Sequence, residues 1–135
     1  MAIVSTKGVY GLTAILILAK EKDLLQIKEI ASKGDIPQNY LEQILVTLKK
    51  SGLVQSTRGA NGGYQLLKDA NEITVFEVLS SLECCLAHTD GKTKTDLLQH
   101  FWEDTQKKIE KIFMLSITEL EEFLDKKSDN LVYYI

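Results

Sequence analysis

The stretch that decides the fold is DIPQNYLEQILVTLKKSG, residues 35–52, followed by LVQSTRGANGGYQLL, residues 53–67. Pro37 suits the first turn of a helix, and apolar residues recur after it at helical spacing, at Leu41, Ile44, Leu45 and Leu48. The pattern then changes to two strand-like runs, 53–57 and 64–67, joined by a tip with three glycines and one asparagine. The sequence therefore predicts a helix that leads directly into a β-hairpin.

Two other helical segments precede this one. The first runs from about Lys7 to Lys20, and Ser5 or Thr6 can cap its start. The second is short and ends at Gly34, so about four residues separate it from the next helix. Three such helices followed by a hairpin predict a winged helix-turn-helix.

The remainder of the chain is also helical in pattern. A helix is expected from about Thr74 to Leu82, a long helix from about Asp96 to Leu115, and a last short helix from Ser116 through Leu124. The apolar tail, residues 131–135, has no clear place and is expected to add a strand or to pack on a partner. The expected fold is mainly α with a small β-hairpin wing. Its divisions are a DNA-binding domain at 1–83, a sensor or linker loop at 84–95, and a dimerisation helix with tail at 96–135.

Charge is distributed unevenly along the 135 residues. Residues 1–68 hold nine Lys and Arg against five Asp and Glu, a net charge of +4, and residues 69–135 hold seven against fourteen, a net charge of −7, which together give −3. A basic N-terminal half can present a positive face to a polyanion although the whole protein is acidic. No apolar stretch is long enough for a membrane span, and no export signal is apparent. No membrane partner is therefore expected, and two adjacent cysteines that make no disulfide framework predict a reducing cytoplasm as the compartment.

The start of the helix after Pro37 is polar. A DNA-reading helix needs polar side chains at its N-terminal end and an apolar face that holds it to the domain. Amide side chains can pair with adenine, and a carboxylate can accept from the cytosine amino group. The candidate DNA-binding residues here are Gln38, Asn39, Tyr40, Glu42 and Gln43. An ordinary amphipathic surface helix would show the same pattern, so the hairpin has to decide between the two interpretations.

The hairpin tip carries Arg58, the only arginine of the chain, with no carboxylate in the tip. An arginine on a protruding hairpin can enter the minor groove, where narrow A·T-rich segments strengthen the negative potential. Glycines in the tip allow backbone N–H groups to approach phosphates closely. This combination favours DNA binding over a solvated arginine on a turn.

Four sequence motifs, in this order, closely resemble those of the IscR/NsrR/CymR family of winged-helix transcriptional regulators. The resemblance is dense over about residues 1–83 and looser through Trp102 and the segment 117–120. The motifs are STKGVYG at 5–11, YLEQIL at 40–45, LKKSGLV at 48–54 and RGANGGY at 58–64.

The resemblance implies a homodimer that is crossed through the long C-terminal helix and binds a pseudo-palindromic double-stranded operator, and the minor-groove argument for Arg58 predicts that this operator is A·T-rich. It also implies that Glu42 and its neighbours read the major groove and that Arg58 enters the minor groove. Residues expected near backbone phosphates are Thr6, Lys7, Gly59 and Gly62, and Asn61 in the same tip is a further candidate DNA-binding residue. Family members often carry serine where Pro37 stands, so a phosphate or capping contact from that side chain is not expected here.

The long helix carries the predicted dimer contacts, at Leu98, Trp102, Ile109 and Ile112. A helix of about twenty residues on so small a module has little surface of its own chain to cover, and a two-fold dimer explains how two half-sites are read. Packing of these residues on their own domain is the alternative. His100 and Trp102 are expected to face the helix bundle rather than to bind a metal.

The signal is not readable from the sequence. Cluster-binding members of the family carry three cysteines before the long helix, whereas this chain has only Cys84 and Cys85, followed by His88. Three interpretations stay open: two small hydrophobes, a redox-active thiol that shifts the dimer, or a metal or iron–sulfur cluster shared with the partner subunit. No cofactor is predicted, and a small-molecule effector is compatible with all of this.

No enzyme is predicted, because the Gly59–Gly63 run is not followed by the lysine and hydroxyl residue of a phosphate-binding loop and no nucleophile–base pair is evident. The predicted function is a sequence-specific regulator, most simply a repressor. The competing interpretation is a winged-helix module for protein–protein contact without DNA binding.

Overall fold

A computed structural model of the chain describes residues 3–83 and 96–132. The elements follow the order α1 (Thr6–Glu21), α2 (Ile27–Gly34), α3 (Gln38–Lys50), β1 (Val54–Thr57), β2 (Gly63–Leu66), a 3₁₀ turn (Ala70–Glu72), α4 (Val75–Leu82), α5 (Asp96–Ile112) and α6 (Ile117–Val132). These described residues are mainly helical with one two-stranded antiparallel hairpin, as the sequence predicts. Among the described residues, no helix is long and apolar enough to cross a membrane.

The core lies where α1, α3 and α4 meet beneath the hairpin. All four apolar positions of α3 predicted from the sequence are fully buried, and α1 and α4 add residues such as Ile15, Leu18 and Leu79. Gly11 allows α1 and α4 to approach closely, because a Cβ there would overlap Leu82 Cδ1. Truncating one of these leucines to alanine costs about 2–5 kcal/mol in comparable cores.

Local signals set the helix ends. The Ser5 hydroxyl accepts from the Gly8 N–H at 3.2 Å at the start of α1, and Asp35 adopts a left-handed conformation, with φ of +51°, where α2 ends. An ion pair connects the two helices, since Lys33 Nζ in the last turn of α2 lies 2.9 Å from Glu21 Oε1 at the end of α1. That hydrogen bond lowers the pKa of Glu21 and raises the pKa of Lys33.

The hairpin pairs Val54 with Leu66 and Thr57 with Gly63. Leu25, in the connection between α1 and α2, extends the sheet through reciprocal backbone bonds with Tyr64 of 3.0 and 2.8 Å. A Cβ on Gly63 would overlap the Leu25 carbonyl, so glycine is required for this close approach. The hairpin is therefore attached to the helices at its base and along one edge.

Three sequence expectations on the C-terminal part are corrected. The last helix is not short: α6 runs to Val132, so Leu131 and Val132 are helical and a strand at these two positions is wrong. No proline or glycine interrupts 117–132, and this allows the helix to continue. The long helix ends at Ile112 rather than Leu115, because Phe113 O and Leu115 O accept backbone N–H groups at the start of α4. The 3₁₀ turn at Ala70–Glu72, before α4, is a further element that the sequence pattern does not predict. Residues 133–135 lie outside the described residues.

Candidate nucleic-acid interface

The start of α3 is open to solvent. Pro37 precedes it without a capping side chain, and its carbonyl accepts from the Tyr40 and Leu41 N–H groups at 3.1 and 3.0 Å. The polar side chains of the first turns are exposed, namely those of Gln38, Asn39, Glu42 and Gln43. Because the opposite face of α3 is fully buried, these side chains are held outward on a rigid helix.

Tyr40 differs from the other predicted DNA contacts. It is half-buried, and its ring packs edge-on against Tyr10 of α1, with a centroid distance of 5.6 Å and an interplanar angle of 78°. This contact fixes the start of α3 against α1. Tyr10 was not among the residues singled out from the sequence, and only its place in the STKGVYG motif pointed to it.

Arg58 follows β1 directly and is exposed at the hairpin tip. Gly59, the next residue, has a φ of +112°, a conformation that side-chain-bearing residues rarely adopt, and its carbonyl accepts from the Gly62 N–H at 3.0 Å. Among residues 3–83 and 96–132, no ion pair includes Arg58. Its guanidinium is thus presented on a turn that glycine shapes.

The remaining tip residues do not all face outward. Asn61 is exposed, whereas Gly62 is buried inside the turn. A Cβ on Gly62 would overlap the Thr57 carbonyl oxygen. The position of Gly62 therefore indicates a role in closing the turn rather than in offering its backbone to a phosphate.

Two contacts that the sequence did not reveal hold the tip and the hairpin in place. Gln26 Nε2, at the start of α2, donates to the Ala60 carbonyl at 3.3 Å. Lys49 Nζ, near the end of α3, donates to Ser56 Oγ on β1 at 2.6 Å. Such side-chain contacts depend on tertiary placement and leave no local pattern in the sequence. Through them, α2, α3 and the wing form a connected unit.

The start of α1 carries the last two predicted phosphate contacts. Thr6 is exposed and Lys7 is half-buried. The preceding residue, Ser5, donates from its backbone N–H to Glu83 Oε1 at 2.8 Å and from its hydroxyl to the same oxygen at 2.5 Å. Glu83 was not singled out from the sequence, and no signal there pointed to it.

The predicted dimer residues of α5 are mostly exposed in the single chain. The exposed fractions are 42% for Leu98, 41% for Trp102 and 69% for Ile112, while Ile109 is half-buried. His100, which is expected to face the helix bundle, has a side chain that is 78% exposed in the single chain. Among the residues described, no α5 side chain belongs to the buried core.

The predicted sensor residues Cys84, Cys85 and His88 lie outside the described residues, as does the whole proposed linker, 84–95. Within the described part of the chain, no group of three or more His, Cys, Asp or Glu side chains could hold a metal ion.

Comparison with known proteins gives this arrangement its class. Residues 4–127 match the Rrf2 family, which is described as an iron-dependent transcriptional regulator. The chain belongs to the Rrf2 family. A Haemophilus influenzae relative is 34% identical over 133 residues, which cover 92% of this chain and 87% of the relative. The transcriptional regulator CymR of Bacillus subtilis is 42% identical over 82 residues, and IscR of Cereibacter sphaeroides is 39% identical over 83 residues.

The match spans only 59% of the length of CymR and 54% of the length of IscR. Two solved structures of relatives superpose on most of this chain. The cysteine regulator CymR of B. subtilis superposes with a TM-score of 0.76 at 29% identity, covering 91% of this chain and 98% of CymR. IscR of T. potens also superposes with a TM-score of 0.76 at 30% identity, covering 93% and 90%. The protein is therefore a winged-helix transcriptional regulator of a DNA-binding family, as the sequence motifs predict.

Proposed function

We propose that this Rrf2 protein is a homodimer that binds a pseudo-palindromic, A·T-rich operator through α3 and the wing, and represses transcription by occupying it. The observation that carries the proposal is the exposed Arg58 on a glycine-shaped turn, in a hairpin tied to α2 and α3 by Gln26 and Lys49. Because the hairpin backbone is already ordered, only the arginine side chain loses conformational freedom when it enters a groove.

Base reading is assigned to the start of α3. Gln38, Asn39 and Gln43 can each form two hydrogen bonds with an adenine edge, and Glu42 can accept from a cytosine amino group. All four are exposed beside a buried anchoring face. Thr6, Lys7, Gly59 and Asn61 are proposed as contacts to backbone phosphates, which fix register rather than sequence.

Dimerisation is assigned to α5. Leu98, Phe101 and Trp102 leave a contiguous apolar patch exposed on one side of a helix that contributes nothing to the described core. Monomeric proteins rarely leave such a patch open to water. A second copy of the chain, related by a two-fold axis, would cover this patch. It would also supply the second α3 and wing that binding to both halves of a pseudo-palindrome requires.

The body of the domain has a matching apolar surface. A groove of about 310 Å³ runs between α1, α4 and α6 and is lined by residues such as Val9, Leu12, Leu16, Leu79 and Leu124. Its position beside the α5–α6 connection, where Phe113 also lines it, supports its inclusion in the same interface with the second copy.

A redox or effector response is the remaining element of the proposal, and it rests on Cys84 and Cys85 in the sequence. The CymR of Staphylococcus aureus has been solved in an oxidised form, which makes thiol oxidation the first signal to test here. Loss of operator binding on peroxide treatment, restored by dithiothreitol and absent in a Cys84→Ser, Cys85→Ser double variant, is the expected result. Unchanged binding after complete thiol oxidation would eliminate a redox response.

The salt dependence of binding tests whether the protein binds DNA. Affinity for an A·T-rich duplex of about 30 base pairs is measured by fluorescence anisotropy between about 50 and 300 mM KCl, a range in which counterion release changes affinity measurably. Binding should weaken steeply with salt. Arg58→Ala should cost about 1–3 kcal/mol of binding free energy with the fold intact, and binding should depend less steeply on salt because one positive charge fewer displaces counterions from the DNA.

Lys126→Ala provides the matched control, because it removes one exposed positive charge from α6, which carries none of the proposed DNA contacts. Equal affinities for wild type, Arg58→Ala and Lys126→Ala would reject the wing contact. A wild-type protein without any duplex affinity would reject the function and would leave the protein–protein module as the better interpretation.

A further inference from the structure

The Glu83 carboxylate connects the end of α4 to the start of α1. Its Oε1 atom accepts both the Ser5 backbone N–H at 2.8 Å and the Ser5 hydroxyl at 2.5 Å. Ser5 in turn caps α1 through the Gly8 N–H. One carboxylate oxygen therefore fixes both the backbone and the side chain of the residue that starts α1.

Glu83 is held firmly at its own end. It follows the last turn of α4, where its N–H donates to the Leu79 carbonyl at 2.7 Å, and the buried Leu79 and Leu82 anchor that turn. The contact also leaves no free space on α1, because a Cβ on Gly8 would overlap Glu83 Oε1. Gly8 is thus required for the carboxylate to reach Ser5.

We infer that Glu83 is a positioning residue for DNA binding, which holds Ser5 so that Thr6 and Lys7 are presented to the backbone phosphates. This inference rests on the proposed function, in which Thr6 and Lys7 are phosphate contacts. The same contact connects the end of α4 to the start of α1. A shift of the end of α4 would therefore move Thr6 and Lys7.

A positioning role for Glu83 and simple electrostatics predict opposite changes in DNA affinity when the carboxylate is removed. A carboxylate near phosphates repels them, so its removal alone should strengthen DNA binding. A positioning role predicts instead that Glu83→Ala weakens binding although the protein becomes less negative. Glu83→Gln separates the two effects, because its side-chain carbonyl can still accept from Ser5 while the charge is gone.

The experiment measures affinity for the 30-base-pair A·T-rich duplex and thermal stability for four variants of the full chain. Glu83→Ala should bind about threefold to tenfold more weakly than wild type, because Ser5 is no longer fixed and the ordering of Thr6 and Lys7 on DNA then costs conformational freedom. Gly8→Ala, which displaces the carboxylate by steric overlap, should lose a similar factor, whereas Glu83→Gln should bind at least as tightly as wild type.

Ser116→Ala is the matched control. Ser116 caps α6 by accepting from the Glu119 N–H at 3.1 Å, and the Glu119 side chain in turn accepts from the Ser116 N–H. None of the proposed DNA contacts lies on α6. Both Ser116→Ala and Glu83→Ala should lower the melting temperature, but only Glu83→Ala should weaken DNA binding.

The inference is overturned if Glu83→Ala binds as wild type does or more tightly, or if Ser116→Ala loses as much affinity as Glu83→Ala. It is also overturned if Glu83→Gln loses as much as Glu83→Ala. Failure of the proposed function has a different signature, since the wild-type protein would then show no duplex binding at all.

Discussion

Glu42 allows the proposed reading of bases to be separated from general attraction to DNA. Its exposed carboxylate on α3 repels phosphates but can accept from a cytosine amino group. We expect Glu42→Ala to relax base preference by about 1–3 kcal/mol at one position of the operator, the range for a lost base contact. Affinity for duplexes of unrelated sequence should be kept or raised. The measurement is competition binding against operators substituted at single positions.

Glu122→Ala is the control for Glu42→Ala, because it removes an exposed carboxylate from α6 with the same change in charge. It should leave the base preference unaltered. A uniform loss of affinity across all sequences in Glu42→Ala would contradict a base contact and would indicate damage to α3.

Individual contacts show how far the sequence could predict the site. Glu42 and Arg58 were identified from residue type and local pattern, and both are exposed as required. The pattern did not separate them from Tyr40, which packs on Tyr10, or from Gly62, which is buried. A motif reports which positions matter, whereas the division between contact and support depends on packing between elements distant in sequence.

At the scale of elements, the wing depends on the tight turn that Gly62 permits. Gly62→Ala would drive a Cβ into the Thr57 carbonyl oxygen, and relief of the overlap requires the hairpin to open. We expect a loss of about 1–3 kcal/mol in unfolding free energy, together with weaker DNA binding as Arg58 loses its support. Urea unfolding and duplex binding are the measurements.

Ala60→Ser tests whether any change at the tip has the same effect. Ala60 is exposed, and its contact with Gln26 uses the backbone carbonyl, which the substitution retains. Ala60→Ser should match wild type in both measurements. Equal behaviour of Gly62→Ala and Ala60→Ser would show that the turn tolerates a side chain at Gly62.

Element bounds were predictable from the sequence where a strong local signal exists. Ser5, Pro37 and Gly34 mark helix ends close to the observed ones. The end of α5 was missed because backbone bonds to α4, which involve Phe113 and Leu115, stop the helix there. These bonds join segments some forty residues apart in the chain, and no local pattern encodes them.

At the scale of the whole molecule, Trp102 tests the assignment of α5 to the dimer. Large aromatic residues contribute most to interfaces, and truncating one at a central position costs about 2 kcal/mol or more of association free energy. Trp102→Ala should therefore shift the dimer towards monomer by at least about thirtyfold in the dissociation constant. Sedimentation equilibrium measures this shift.

His100→Ala is the control on the same helix, because His100 is two residues from both Leu98 and Trp102 and therefore lies on the opposite side of α5. It should dissociate as wild type does. If the wild-type protein is a monomer at micromolar concentration, or if Trp102→Ala associates as tightly as wild type, the apolar patch of α5 is not the dimer interface.

The central claim is that two copies of this chain read a two-fold symmetric operator through α3 and the wing. Its most direct test is selection of duplexes from a random-sequence pool by the wild-type protein, followed by sequencing. The account predicts an enriched inverted repeat with A·T-rich segments and half-site centres separated by about one helical turn, 34–36 Å, or a multiple of it. Enrichment of an asymmetric single site, or of no sequence at all, would contradict it.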